Sequence, residues 1–429
     1  MSAPAEFLFT TFEFGGHVTP ALATAARLQA RGRRVLVLSD EATRPEAEGF
    51  GLPFRRWSTA PNRPDKAIAN EPLRDWECAN PAEVVAMLLE RLMTGRAGDY
   101  AADTAEALDA NPGAAVVSQE LLLGCMLAAE ARGRPLALHT ANVWPLPTLE
   151  GVPPFGPGLA PPETAEDATF QALIREASRS LYDAGLPQLN AARARFGLAP
   201  LARTLDQIDA AALILLSAAR AYDFAPDPLP APFRYAGPQA RVPSWAAPWR
   251  SPWPENDRRP LVLVSFSTLY QAQEPVLRRV IAALERLPVR GVVTLGPQLD
   301  PAEFPTAAEN VRVLASASHD ALAPHLAAMV THAGHGSAIR PVLAGVPLLC
   351  LPMGRDQPDN AARIVARGAG LRLQPDAGTD EIGDAMMRLV QEAAFREATR
   401  AWAARIRAET EAQGDVAAEG LEALHPRAG

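Results

Sequence analysis

The sequence predicts an α/β protein of two domains, each built on a parallel sheet and facing the other across a central cleft. Two observations carry that expectation. Short apolar runs rich in Val, Leu and Ile alternate with stretches of helical spacing, first over residues 7–216 and again from residue 261 onward. Between the two series lies a stretch dense in proline and tryptophan, Pro226 to Pro260, which can sustain neither a helix nor a central strand. The expected organisation is thus an N-terminal domain over 1–225, a linker over 226–260 and a C-terminal domain over 261–429, whose last helix is free to pack back on the first domain.

FLFTTF (Phe7 to Phe12) reads as a buried strand. Leu22, Ala25, Ala26 and Leu28 then space as a helix over Pro20 to Ala30, with Thr19 as expected N-cap and Pro20 in the first helical position. Gly32 ends the helix and RRVLVLSD resumes as a strand, an order that implies a parallel pair with a right-handed crossover. AAVVSQ, LALHT and AALILLS continue the series. After the linker come PLVLVSFS, a helix from Glu274 to Leu287, the strands GVVTLG, VRVLA, MVTH and VPLLCLP, and a helical stretch near Asp380 to Leu424. Sheets of this kind bind ligands beyond the carboxyl ends of their strands, so a cleft between the halves is the expected site.

Composition narrows the function. Among 429 residues, 41 basic and 49 acidic side chains leave a charge of −8 with no basic run, which argues against nucleic acid or an anionic membrane as partner. Cys78, Cys125 and Cys350 are far apart and form no C-x-x-C pair, so neither a disulfide framework nor a zinc site is expected. With no signal-peptide pattern and no span-length apolar run, a cytoplasmic location is expected.

The densest chemistry lies in MVTHAGHGSAIRPVLAGVPLLCLPMGRDQPDN. MVTH ends a strand, AGHG turns, and SAIRPVLAG begins a helix with Ser337 near its N-cap. Free backbone amides at a helix start favour an anion such as a diphosphate, Gly334 and Gly336 allow close approach, and His332 can donate to the same oxygens. Read alone, HAGHGS fits a tight turn with one packed histidine equally well. After the next strand, Asp356 and Gln357 can grip several sugar hydroxyls, or cap the helix that Pro358 opens.

THAGHGS with LAGVPLLCLPMGRDQPDNAARIVARGAGL resembles the donor-binding motif of family 1 glycosyltransferases, and FEFGGHVTPALATAARLQARG resembles that family's N-terminal motif. Its bacterial members that modify macrolides and other natural products are the nearest in character. The resemblance implies the GT-B fold, two Rossmann-like domains around a cleft, and a nucleotide-sugar co-substrate with no further cofactor. It places His332, Gly336 and Ser337 at the diphosphate, Asp356 with Gln357 at the sugar, and Thr268 near the donor. A tryptophan that stacks on the base in many members is replaced by Ser316, leaving Ala317 and His319 for base recognition. A glutamate that contacts the ribose falls at Arg340, so dTDP-sugars are as acceptable as UDP-sugars.

His17 lies in the loop after the first strand, where Gly15 and Gly16 let it approach the cleft. A histidine with a pKa near 6.5 suits proton removal from an acceptor hydroxyl. The resemblance makes His17 the general base, oriented by an aspartate whose place is taken by Gln119, with Glu120 one residue on. No D-x-D occurs, so a metal-bridged diphosphate is not expected. Trp76, Trp144 and Phe155 are candidates for stacking on a small-molecule acceptor, or for ordinary packing under proline-rich loops. A nucleotide-sugar epimerase and a non-catalytic nucleotide-sugar-binding protein remain as alternatives, whereas a dehydrogenase is disfavoured because no G-x-G-x-x-G follows the first strand.

Overall fold

The computed structural model describes residues 3–239, 249–267 and 269–425. Thr268 and part of the linker, 240–248, fall outside them. The first sheet contains β1 (Phe7–Thr10), β2 (Val35–Ser39), β3 (Phe54–Arg56), β4 (Ala115–Ser118), β5 (Leu136–Thr140), β6 (Leu213–Leu216) and β7 (Phe233–Tyr235), in the order β3-β2-β1-β4-β5-β6-β7. The second contains β8 (Leu261–Ser265), β9 (Arg290–Thr294), β10 (Val311–Leu314), β11 (Leu326–Thr331), β12 (Leu348–Cys350) and β13 (Gly370–Arg372), ordered β10-β9-β8-β11-β12-β13. All pairs in both are parallel. β4, β5 and β6 are buried along their whole length, as expected of strands covered by helices on both faces.

This is the two-domain α/β architecture the sequence predicts. Within the proline-rich stretch, β7 forms only at the edge of the first sheet, the position where proline neighbours are tolerated. The strand order reverses at β1/β4 in the first sheet and at β8/β11 in the second. Loops leaving those strands diverge and open a crevice at each switch point.

Of the helices, three matter to the site. The helix after β1 is Val18–Ala30; it starts before the expected Thr19 cap, with His17 in the N-cap position. The Gly15–His17 turn runs straight into it, and Thr19 instead donates its hydroxyl to Glu46 at 2.5 Å. The helix His335–Leu343 follows β11, and Gln357–Ala366 follows β12. The expected long C-terminal helix is three, Thr379–Gln391, Ala393–Gln413 and Val416–Leu424, the last break falling at Gly414 with φ 68°. Ala417, Ala418 and Leu421 of the final helix pack into the core beneath β1 and β6 with Phe7 and Leu215, so the chain returns to the first domain.

Candidate active site

A cleft of about 1030 Å³ separates the two sheets, walled by the loop after β1 on one side and by the starts of the helices His335–Leu343 and Gln357–Ala366 on the other. At the first of these helices the chain leaves β11 through His332 and Ala333, the latter at φ 68°. Gly334 is the N-cap. A Cβ there would lie 2.5 Å from His332 Nε2, so glycine is what lets the buried imidazole tuck against the turn. In the first turn the amide of His335 donates to Asp356 and that of Ser337 to the Gly334 carbonyl. Gly336 stands at the open face, where a Cβ would meet nothing within 4 Å.

The His332 ring lies almost parallel to Phe266 at 6.1 Å. Burial lowers its pKa to about 4, so it is neutral at pH 7 and offers one N–H. An unfolded histidine titrates near 6.5, so the folded chain takes up this proton at lower pH than the unfolded one. His332 therefore contributes stability above pH 6.5 that is lost as the pH falls through about 4. Unfolding titrations of His332→Gln are expected to show a stability slope shallower by up to ~1.4 kcal/mol per pH unit across that window. Parallel slopes for variant and parent would contradict this.

Gly334→Ala is expected to lose about 1–3 kcal/mol of stability through overpacking. It should also weaken nucleotide diphosphate binding, because His332 cannot hold its place beside the helix start. Calorimetry with dTDP checks the second effect, and unchanged affinity would contradict it.

Asp356 occupies the N-cap position of its helix yet makes no capping bond. Its Oδ2 accepts instead from the His335 amide at 3.0 Å, from Asn142 at 2.9 Å and from Asn360 at 2.9 Å. These bonds hold one carboxylate oxygen, and none of them engages Oδ1. Asn142 follows β5 in the first domain, so the two halves are tied together at this carboxylate. Gln357 is buried: its oxygen accepts from the Met353 amide at 2.8 Å and its nitrogen donates to Gln271 at 2.8 Å. One amide hydrogen is left for a ligand.

Farther along the second domain, Ala317 is buried and His319 begins a short helix with Nε2 3.3 Å from the Thr294 hydroxyl. Burial lowers His319 to about 4. Arg340 lies one turn beyond Ser337 in its helix, lines the same wall, and is lowered by desolvation. Thr268 lies outside the described residues.

On the opposite wall, Gln119 donates to the His17 carbonyl at 3.0 Å and accepts from the Phe12 amide at 3.0 Å. It therefore holds the loop's backbone and leaves the imidazole alone, unlike the orienting role expected from its position. β4 ends at Ser118, the alternation of faces ends with it, and the Glu120 carboxylate comes within 4.0 Å of His17 Nε2. Burial raises the Glu120 pKa and the neighbouring imidazole opposes the rise. His17 Nδ1 lies 3.3 Å from the Phe14 carbonyl, and the ring is 5.3 Å from Phe14.

The three aromatic candidates for acceptor stacking do not line this cleft. Trp76 packs edge-on against Tyr270 at 5.1 Å. Trp144 is buried, donates to Thr148 and meets Phe233 edge-on. Phe155 borders a cavity of about 10 Å³ with Asp359 and Arg363, too small for a ligand. The first domain's wall of the cleft includes instead Glu13, Phe14, Glu46 and Lys66, with Lys66 3.1 Å from Glu13. Asn142 and His335 also went unforeseen, although both follow strand ends, the one signal that could have marked them. Among the described residues no group of three or more His, Cys, Asp or Glu side chains is placed to hold a metal ion.

Two Rossmann-like domains with facing strand ends, one cleft between them and a glycine-lined helix start within it define the GT-B class of glycosyltransferases. Comparison with known proteins narrows the class. Residues 278–422 match the family model for the erythromycin biosynthesis protein CIII-like C-terminal domain. The L-demethylnoviosyl transferase of Streptomyces niveus is 31% identical over 287 residues, 56% of this chain and 72% of that protein. The 4′-demethylrebeccamycin synthase of Lentzea aerocolonigenes is 26% identical over 445 residues, 96% of this chain and 97% of its own. The crystal structure of CalG4, the calicheamicin glycosyltransferase, superposes with a TM-score of 0.74 at 21% identity, covering 100% of this chain and 99% of that one. The chain belongs to the family 1 glycosyltransferases. Among the described residues no helix is long and apolar enough to cross a membrane.

Proposed function

We propose that this enzyme transfers a hexose from a UDP- or dTDP-sugar to a hydroxyl of a small-molecule natural product, with inversion and without a metal ion. The observation that carries this reading is the pairing of His17 with the buried Glu120 carboxylate at 4.0 Å, on the cleft wall opposite the helix start at Gly336. His17 takes the acceptor proton as the acceptor oxygen attacks the anomeric carbon. The bond to the nucleoside diphosphate breaks as the new bond forms, and the leaving charge settles on the Gly336 amide, the Ser337 hydroxyl and His332. Donors fixed in place before the reaction stabilise that charge more cheaply than reorganising water, which makes this the larger catalytic term. Asp356 Oδ1 and the remaining Gln357 N–H are the groups offered to the sugar hydroxyls.

The names of relatives support a natural-product acceptor: one is a 4′-demethylrebeccamycin synthase and another an L-demethylnoviosyl transferase. At the nucleotide end, the guanidinium of Arg340 makes no demand for a ribose 2′-hydroxyl, so dTDP-sugars are accepted alongside UDP-sugars. The test is one mass-spectrometric screen of UDP- and dTDP-sugars against phenolic and macrolide acceptors, run with and without EDTA. Glycosylated acceptor in both conditions supports the reading. An isomerised sugar from donor alone, or tight donor binding without turnover, would replace it by an epimerase or a binding protein.

A further inference from the structure

We propose that Arg355 is a positioning residue, which reaches from the sugar-holding turn across the cleft, clasps Asp75 and backs Phe14, and so sets His17 against the donor. This rests on the transfer reading above. Arg355 immediately precedes Asp356 and sits at φ 58°, a left-handed conformation that residues with a Cβ rarely adopt. Such a backbone persists only where its surroundings enforce it, and here the side chain supplies the reason.

Its guanidinium grips Asp75 of the first domain at both oxygens, Nε to Oδ2 at 2.6 Å and the terminal nitrogen to Oδ1 at 2.8 Å. The two side chains are only 13% and 12% exposed, so the pair is shielded from solvent and from salt. The same guanidinium lies 4.6 Å from the centre of the Phe14 ring, and Phe14 in turn lies 5.3 Å from the His17 ring. Arg355 thus touches both the segment carrying Asp75 and the side chain against which His17 packs.

The Asp75 segment crosses the cleft at two further points. The Lys66 carbonyl accepts from Gln298, and Trp76 meets Tyr270 edge-on. Residues 66–76 therefore form a strap from the first domain onto the second, and Arg355 is its charged fastening. The planar fork of arginine matches a carboxylate at two points and stacks on an aromatic face, and lysine can do neither. The geometry makes Arg355 a ruler between Asp356, which faces the sugar, and His17, which faces the acceptor. Misplacing reacting groups by about 1 Å costs about 10²-fold in rate.

The test uses the full chain, dTDP-glucose and UDP-glucose as donors, and Arg355→Lys, Asp75→Asn and the double exchange Asp75→Arg with Arg355→Asp. Free dTDP serves as the binding probe. The expected result is a fall in kcat of about 10²-fold in both single variants, with dTDP affinity within about twofold of the parent, as a displaced base leaves the diphosphate site alone. The double exchange restores part of kcat. Amide hydrogen exchange at residues 14–17 is expected to quicken in both single variants, a readout that needs no turnover. Equal loss of dTDP affinity and rate, or exchange at residues 14–17 identical to the parent, would overturn the proposal. A parent that binds dTDP but turns over no donor would sink the transfer reading, while the exchange experiment still decides the clasp.

Discussion

His17→Ala is expected to lower transfer by about 10²–10⁴-fold, the usual contribution of a positioned base, and to leave dTDP affinity unchanged. An acceptor hydroxyl is a poor nucleophile at neutral pH, so the rate depends on a group that takes its proton as it attacks. His17 is a histidine on the first domain's wall of the cleft, within 4.0 Å of a buried carboxylate. It is partly exposed, with 24% of its side chain accessible, so an acceptor can reach it. Because it lies on the first domain, away from the helix start at Gly336, its loss should appear in kcat and not in nucleotide binding. Single-turnover rates beside dTDP calorimetry separate the two, and a variant with full activity would remove His17 from the reaction.

Glu120→Gln is expected to cost a comparable factor, roughly 10²–10⁴. When His17 takes a proton it becomes an imidazolium, and only a charged neighbour stabilises that state strongly. Glu120 is sealed from solvent, so a carboxylate charge there is little screened by water or salt. Burial raises its pKa, and the imidazole beside it opposes the rise. Glutamine keeps the shape and the hydrogen-bonding oxygen but cannot carry the charge. Full activity in Glu120→Gln would show that His17 works without this partner, and the pH dependence of kcat/KM would then be unchanged from the parent.

The sequence made the architecture legible because buried parallel strands and amphipathic helices announce themselves by periodicity. The positions of His17, His332, Asp356 and Gln357 were legible for a related reason: each follows a strand, and strand ends face the cleft. What could not be read was which groups meet across the cleft. The bonds from Asn142 to Asp356 and from Arg355 to Asp75 join residues far apart in the chain, and no local pattern encodes them. Gln119 and Glu120 differ by one position, and on a continuing strand they would face opposite ways. β4 stops at Ser118, so that rule no longer applies and both reach the His17 loop by different atoms.

Thr19 has the chemistry of a cap, but the Gly15–His17 turn starts the helix earlier and sends its hydroxyl to Glu46. Trp76, Trp144 and Phe155 show the limit of reading aromatics as binding groups. Each lies in a proline-rich or irregular stretch, and each packs away from the cleft, against Tyr270, against Phe233 or beside the small cavity at Arg363. The first domain's wall of the cleft instead carries Glu13, Glu46 and Lys66, charged residues that composition alone gave no reason to single out.

The most direct test of the account is the anomeric configuration of the product formed from an α-linked donor, dTDP-α-D-glucose or UDP-α-D-glucose, in the presence of EDTA. Direct attack assisted by His17 from the face opposite the diphosphate predicts a β-glucoside, read from the anomeric proton coupling. An α-glucoside, or product that forms only when a divalent ion is restored, would contradict it.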